Sequence, residues 1–307
     1  MYFCPKKYLN MKYTRRHFLG TAAVGIGAVL LNGCSSEPSH YDPYDIVELG
    51  KTGIRTTRLS MGTGMMGGNR QSNITRMGYE VAEKLFRDVY NHGVRHFDLA
   101  DNYGTHRFAG EALKIYPRKD YQLFTKLWYM RGRNIPEGVK PGAETEDEVM
   151  RFLEEMQTDY IDGLQLHFVN SANWNTDLSD YMTALDKLKQ RGIIRSHGVS
   201  CHSLPAIETA INEPWVDTVH VRINPYGVHM DDSVENVEPV VKRLHQAGKG
   251  VIAMKVLGQG ELTGDEEKDR CFQYVLQLGA LDVLTIGIDN ISDIEDNEKR
   301  IRKVSKI

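Results

Sequence analysis

Two patterns of hydrophobic and polar positions alternate along residues 46–307 of this 307-residue chain. Short runs of apolar and β-branched residues predict buried strands, and longer stretches with apolar residues at helical spacing predict amphipathic helices. In residues 79–92, for example, Val81, Leu85, Val89 and Tyr90 fall at helical spacing, and Gly93 follows as a stop signal. The predicted strands cover residues 57–61, 94–99, 122–126, 163–167, 194–200, 218–223, 251–255 and 283–287. The predicted helices cover residues 79–92, 106–115, 144–157, 178–191, 204–211, 234–246, 266–278 and 291–304.

Eight strand–helix units in regular alternation predict parallel strands joined by crossover helices. Units of roughly 30 residues fit a single closed (β/α)₈ barrel better than an open doubly wound sheet. In such a barrel the polar side chains that do chemistry stand at the carboxyl ends of the strands.

The first 45 residues are predicted to be a targeting segment and a linker that precede the barrel. Arg15 and Arg16 precede an apolar run of about 11 residues, too short to cross a bilayer. The paired arginines resemble the twin-arginine export motif, and residues 31–34 resemble a lipobox ending in Cys34. We therefore expect a signal peptide over residues 1–33, a tether over 34–45, export by the twin-arginine route, and a lipid anchor at Cys34 in the periplasm or cell envelope. An uncleaved membrane anchor is the alternative, and Met11 offers a second start site.

Charge and cysteine content narrow the function classes. The formal net charge is −3, and without the five cations of residues 1–33 it becomes −8, which argues against nucleic-acid binding. Cys201 and Cys271 remain in the body, where a disulfide is conceivable. No His/Cys cluster has metal-ligand spacing, so we expect no metal.

Four reactive side chains stand at the ends of three successive predicted strands. Asp98 and Tyr103 follow the second strand, Lys126 ends the third, and His167 ends the fourth. Singly, each has an ordinary structural explanation: a helix cap for Asp98, a snorkelling side chain for Lys126, a core histidine for His167. Together, an acid, a phenol, an amine and an imidazole at one rim predict a shared pocket.

The motifs around these residues make the body resemble an aldo-keto reductase. The family's D-x-A-x-x-Y-G stands at residues 98–104, its G-E-A-L at 110–113, and residues 48–64 resemble its N-terminal hairpin and first strand. The resemblance implies a nicotinamide-dependent oxidoreductase that interconverts a carbonyl and an alcohol. Tyr103 would be the proton donor or acceptor, Lys126 would lower its pKa, Asp98 would hold Lys126, and His167 would orient the carbonyl.

On the cofactor side the chain departs from the family pattern. Ser200 is present but Cys201 replaces the following asparagine, Arg222 stands where a glutamine is common, and Lys255 where an aromatic residue stacks on the nicotinamide. Arg222 and Lys255 could instead point outward or pair with an acid. The turn with Gly258 and Gly260 resembles the pyrophosphate loop. The positions that bind a 2′-phosphate in relatives fall on Gly287, Ile288 and Asp293, counted back from Asn297, which favours NAD over NADP.

The substrate and the physiological cycle are predicted only in outline. The chain ends soon after the eighth helix, which predicts an open, shallow site walled by Trp128, Tyr129, residues 131–133 and Trp174. Such aromatic walls suit a sugar-derived small molecule. Outside the cytoplasm reduced nicotinamide is scarce, so the cofactor would stay bound and be recycled. The main alternative is a non-catalytic nucleotide-binding or accessory protein on the same barrel. A glycosidase is less favoured because only one carboxylate, Asp98, stands clearly at a strand end.

Overall fold

A computed structural model describes residues 39–129 and 142–306. The described strands are β1 (Ile46–Glu48), β2 (Arg55–Thr57), β3 (Leu59–Gly62), β4 (His96–Asp98), β5 (Gln122–Leu127), β6 (Ile161–Val169), β7 (Ile194–Cys201), β8 (Thr218–Arg222), β9 (Gly250–Met254) and β10 (Val283–Gly287). Strands β3–β10 form a closed, all-parallel barrel in the order β10-β3-β4-β5-β6-β7-β8-β9. The predicted (β/α)₈ barrel is therefore confirmed.

Helices pack around the barrel, and two short ones, Asn73–Arg76 and Trp174–Asp177, were not predicted. The described helices are α1 (Asn73–Arg76), α2 (Tyr79–His92), α3 (His106–Leu113), α4 (Thr145–Met156), α5 (Trp174–Asp177), α6 (Ser179–Gln190), α7 (Leu204–Asn212), α8 (Val234–Gln246), α9 (Asp265–Gln277) and α10 (Ile291–Lys303). Helix α2 has the predicted bounds, and of its periodic apolar residues Leu85 and Val89 are buried whereas Val81 is 58% exposed.

The first predicted strand, residues 57–61, is in fact parts of two strands. β1 (Ile46–Glu48) and β2 (Arg55–Thr57) form an antiparallel hairpin, and β3 begins only at Leu59. The break occurs because the amides of Arg58 and Leu59 donate to Asp45 O and Pro43 O. The hairpin closes the amino end of the barrel through an apolar cluster of Leu49, Ile54, Phe124, Ile252 and Val283.

Residues 39–45, the end of the predicted tether, lie against the chain's last turns. The amide of Tyr41 donates to Val304 O at 3.0 Å, and the amide of Lys306 donates to Ser39 O at 2.7 Å. The predicted signal peptide and the Cys34 anchor lie outside the described residues. Within the described residues, no helix is long and apolar enough to cross a membrane. Cys201 and Cys271 are buried and free, so the disulfide that the sequence left open does not form.

Candidate active site

The four reactive side chains expected at the rim converge inside the carboxyl end of the barrel. Asp98 ends β4, Lys126 and His167 lie near the ends of β5 and β6, and Tyr103 closes a 3₁₀ turn (Asp101–Tyr103) just after β4. Lys126 Nζ donates to Asp98 Oδ1 at 2.5 Å and to Leu99 O at 3.0 Å. The same ammonium lies 5.2 Å from the centre of the Tyr103 ring. Tyr103 Oη is 3.4 Å from His167 Nε2.

Two glycines in the loop after β3 seat the ring of Tyr103. A Cβ on Gly64 would fall 2.6 Å from Tyr103 Cζ, and a Cβ on Gly67 would fall 2.8 Å from its Cδ1. Since real Cβ contacts are not this short, only glycine lets the loop lie flat against the phenol. The position of the hydroxyl is therefore set by the backbone of this loop as well as by β4.

A buried charge network holds the turn that carries Tyr103. Asp101 is fully buried and pairs with Arg70 at 3.1 Å and with Arg151 at 3.0 Å. Glu155 on α4 pairs with Arg70 at 2.7 Å and with His106 Nδ1 at 3.2 Å. Asp101, His106 and Glu155 lie close enough together to hold a metal ion. Both carboxylates, however, already pair with guanidinium groups, so we interpret this cluster as a structural one that holds the turn carrying Tyr103 in place.

The pKa of Tyr103 is shifted in the direction opposite to the one expected from the sequence. Burial and the charge of Asp98 raise the pKa of Tyr103 above its usual value, whereas the sequence predicted a lowering by Lys126. Burial is the larger cause, and the nearby Asp98 carboxylate adds to it, so the Lys126 ammonium that pairs with Asp98 does not lower the pKa of the phenol. Burial lowers the pKa of Lys126 while Asp98 opposes this, and burial together with the charge of Lys126 lowers the pKa of His167 well below 6.5. Tyr103 is thus a neutral phenol beside a neutral imidazole.

Two further histidines, not predicted from the sequence, face the same ion pair. His220 Nε2 on β8 lies 3.2 Å from Asp98 Oδ1, and His96 on β4 binds Ser60 Oγ through Nδ1 at 2.8 Å. Both histidines are buried, and burial lowers the pKa of each, that of His96 to about 3. The alternation of inward and outward side chains along a strand could have identified both histidines from the sequence. His220 lies two residues before Arg222, and His96 lies two residues before Asp98, on the inward face of each strand.

Aromatic rings surround His167 at the mouth of the barrel. Trp128 lies edge-on to His167 with ring centres 5.2 Å apart, and Phe168 lies 4.2 Å from His202. Phe168 has a φ of 65°, a conformation that non-glycine residues seldom adopt and that often marks functional sites. Trp174, expected as another wall, is 1% exposed and donates its indole N–H to Ala206 O, so that expectation was wrong. Residues 131–133 lie outside the described residues.

A cavity of about 140 Å³ opens beside Tyr103, between the ends of β3, β9 and β10. Tyr103 and Asp98 line one side, and Lys255, Gly260 and Gly287 line the other. The side chain of Met65 crosses this opening, since a Cβ on Gly287 would fall 2.5 Å from Met65 Cγ. The cavity thus connects Tyr103, the expected proton donor, with the glycine-bearing turns expected to bind a cofactor.

Comparison with known proteins identifies the family. The model of the "Aldo/keto reductase family" matches residues 58–306. The chain belongs to the aldo/keto reductase family. It is 25% identical over 295 residues to L-galactose dehydrogenase of Arabidopsis thaliana, covering 84% of this chain and 88% of that protein. It is 24% identical over 237 residues to the NADH-specific methylglyoxal reductase of Escherichia coli, covering 73% and 70%.

A solved structure supports the same fold. The holo form of an aldo-keto reductase from Bacillus halodurans superposes with a TM-score of 0.63 at 21% identity, and the match covers 87% of this chain and 97% of that one. Aldo-keto reductases are oxidoreductases that use NAD(P)H, so this chain is an oxidoreductase-family barrel.

The remaining predicted cofactor residues of this aldo/keto reductase lie in three places. Ser200 is buried on β7, and its hydroxyl has no hydrogen-bond partner among the described residues. Gly258 lies in the turn after β9 with a φ of 56°. Arg222 does not present a free charge, because its guanidinium pairs with Asp231, with Nε 2.8 Å from Oδ1. This is the pairing with an acid that the sequence left open.

The last two predicted residues lie on α10. Asp293 caps this helix: Asn290 Oδ1 accepts from its amide at 3.2 Å, and Asp293 Oδ2 accepts from the amides of Asp289 and Asn290. Asn297 is 3% exposed, and its amide nitrogen has no partner among the described residues. Neither residue lines the cavity beside Tyr103.

Proposed function

We propose that this chain is a nicotinamide-dependent oxidoreductase that interconverts a carbonyl and an alcohol, with Tyr103 as proton donor or acceptor. The observation that carries the proposal is the convergence of Tyr103, His167 and the Asp98–Lys126 pair beside one cavity. A phenol held within hydrogen-bond reach of a bound carbonyl can protonate the oxygen as negative charge develops there.

The residues that would hold the cofactor fit this proposal. The cavity reaches from Tyr103 to the turns at Gly260 and Gly287, and Asp98, the one carboxylate among its described lining residues, pairs with Lys126. Ser200 Oγ and Thr285 Oγ1 are buried hydroxyls without partners among the described residues, so they are free to bind an amide or a ribose. When bound, a nicotinamide supplies or accepts the hydride.

The protein's own side chains hold the proton and stabilise the charge left when it is transferred. Tyr103 carries the proton on Oη at neutral pH, because burial and Asp98 oppose its ionisation. Loss of this proton creates a phenolate, which the Lys126 ammonium 5.2 Å from the ring stabilises. His167 is neutral and offers a hydrogen bond near Tyr103 Oη, which orients the carbonyl oxygen.

A sugar-derived substrate is proposed on two grounds. Trp128 and Phe168 place aromatic faces beside His167, and a sugar ring can pack against such faces. L-galactose dehydrogenase, among the proteins that this chain resembles, acts on a sugar by its name. The methylglyoxal reductases that it also resembles are named for a smaller carbonyl compound, which makes methylglyoxal the reference substrate in any assay.

NAD is proposed over NADP. The segment from Gly287 to Asp293 contains no Lys or Arg, and it carries two carboxylates, Asp289 and Asp293. A 2′-phosphate placed there would meet like charge without a cationic partner. We expect NADH to bind at least about tenfold tighter than NADPH, as measured by quenching of protein fluorescence. Equal affinities, or tighter binding of NADPH, would contradict this assignment.

Export and cofactor retention complete the proposal. The sequence at Arg15, Arg16 and Cys34 supports a lipid-anchored envelope protein, in which a cofactor bound before export stays bound. Cell fractionation of the native chain and of the Cys34→Ala variant tests the anchor, which predicts that only the native chain sediments with membranes. Rapid exchange of added nucleotide with the folded protein would rule out the retained cofactor.

The decisive experiment is release of bound nucleotide from the protein purified out of the cell envelope. Denaturation followed by mass analysis is expected to give NAD at close to one equivalent per chain. The accessory-protein alternative is favoured only by the altered residues Cys201 and Arg222. It predicts instead a chain that binds nucleotide without oxidising or reducing any sugar or methylglyoxal.

A further inference from the structure

Arg70 lies in the loop that follows β3, and its backbone packs against the turn that carries Tyr103. Its amide donates to Asn102 O at 2.9 Å. A Cβ on Gly104, the residue after Tyr103, would fall 2.0 Å from Arg70 O. Arg70 also has a φ of 59°, a left-handed conformation that costs a non-glycine residue free energy and persists only where the surrounding contacts impose it. Backbone contacts therefore fix this loop against the turn.

The same loop also contacts the ring of Tyr103. Gly64 and Gly67 pack against the phenol, and the amide of Asn69 donates to Asn102 Oδ1 at 3.0 Å. The loop thus touches both the side chain that carries the proposed acid and the backbone from which that side chain extends. A shift of the loop along the turn would move the hydroxyl relative to the cavity.

Two arginines pair with the same two buried carboxylates, one of which belongs to the turn itself. Arg70 lies 3.1 Å from Asp101 Oδ1 and 2.7 Å from Glu155 Oε1, and Arg151 lies 3.0 Å and 3.1 Å from the same oxygens. The two arginine side chains are similarly exposed, at 37% and 29%. They differ in the element that carries them. Arg151 belongs to α4, whereas Arg70 belongs to the loop that touches Tyr103.

We propose that Arg70 positions the Tyr103 hydroxyl, because it links the loop after β3 to Asp101 and Glu155. This inference rests on the proposed function and adds a positioning residue to it. Arg70 is not among the described residues that line the cavity, so it acts through the loop and the turn rather than on the substrate. Arg151 links the same carboxylates to α4 and stabilises the fold.

Matched variants of the two arginines test the proposal on the full chain, with NADH and methylglyoxal. Arg70→Met and Arg151→Met each remove one cation from the same carboxylates, so we expect similar losses of stability against urea. Only Arg70→Met is expected to lower kcat, by about tenfold to a hundredfold, since small misplacements of a reacting group have effects of this size. An equal loss of kcat in both variants, or no loss in either, would overturn the proposal.

Restoring the charge balance separates position from charge. Glu155→Gln added to Arg70→Met leaves Arg151 paired with Asp101, and it should restore stability but not kcat, since the loop stays unlinked. Glu155→Gln added to Arg151→Met keeps the pair of Arg70 with Asp101 and is expected to retain kcat. The loss of the Glu155 contact to His106 is common to both double variants. Recovery of kcat in the first double variant would show that Arg70 only balances charge, and would refute its positioning role.

Fluorine NMR of the chain labelled with fluorotyrosine gives a readout that does not require activity. The resonance that Tyr103→Phe removes belongs to Tyr103, and we expect it to shift or broaden in Arg70→Met and not in Arg151→Met. The same change in both variants, or in neither, would count against the proposal. If the native chain converts neither a sugar nor methylglyoxal while the resonance responds to Arg70 alone, the positioning of Tyr103 stands and the proposed function fails.

Discussion

Lys126 and Asp98 form an ion pair inside the barrel, with 2.5 Å between Nζ and Oδ1 and both side chains shielded from solvent. The position of Asp98 has two consequences for the site. Burial and the charge of this carboxylate raise the pKa of Tyr103, which is therefore a neutral phenol in the resting protein. Asp98 is also the one carboxylate among the described residues that line the cavity, and its pairing with Lys126 leaves that lining without a free carboxylate.

Tyr103→Phe removes the proposed proton donor and leaves the ring in place. We expect kcat to fall about 10²- to 10⁴-fold, the usual contribution of general acid–base catalysis, while NADH still binds. Steady-state rates and nucleotide titration measure the two effects separately. Tyr116→Phe, whose hydroxyl binds Asn91 away from the cavity, is the control. Full activity of Tyr103→Phe would exclude the phenol as the acid.

Asp98→Asn leaves the buried Lys126 ammonium without its counter-ion. Breaking a buried pair by removing one partner costs about 3–5 kcal/mol, and we expect that loss in the free energy of unfolding measured with urea. Asp98→Asn combined with Lys126→Met should recover most of the stability but no activity. If the single variant were as stable as the native chain, the pair would not be desolvated in solution.

Gly64→Ala tests whether the loop after β3 sets the position of Tyr103. The new Cβ would fall 2.6 Å from Tyr103 Cζ, so the phenol must move. Misplacing a reacting group by about 1 Å lowers the rate about a hundredfold. Gly68→Ala is the matched control, because a Cβ there meets nothing within 4 Å. Equal kcat values for the two variants would contradict the proposed role of the loop.

The buried neutral histidines predict acid sensitivity of the fold. Burial lowers the pKa of His96 and of His202 to about 3, whereas an unfolded histidine has a pKa of about 6.5. Between these values the unfolded state binds more protons, so stability is full above pH 6.5 and is lost as the pH falls towards 3, by about 1.4 kcal/mol per pH unit for each histidine.

Urea unfolding at several pH values measures this slope. His96→Gln is expected to reduce the slope of the unfolding free energy against pH, measured at pH 5, by the contribution of one histidine. His229→Gln changes an exposed histidine that pairs with Glu261 at 2.6 Å, and serves as the control. A slope that His96→Gln does not alter would mean that His96 is protonated in the folded protein.

Much of the barrel could be predicted because its signals are local. Eight apolar runs separated by amphipathic stretches dictate parallel strands and crossover helices, since each pattern depends on a few neighbouring residues. The placement of Asp98, Tyr103, Lys126 and His167 at one rim follows from the same alternation, because the carboxyl ends of all barrel strands meet at one face.

The sequence determined by itself the strand–helix order, the rim that carries the reactive side chains, and the motif around Tyr103. Only the tertiary structure decided which groups face each other across the barrel: that His220 approaches Asp98, that Asp231 pairs with Arg222, and that Trp174 is buried. It also decided the protonation of Tyr103. Periodicity along the chain reports the face of a residue, whereas desolvation and ion pairing depend on atoms that are close in space and distant in sequence.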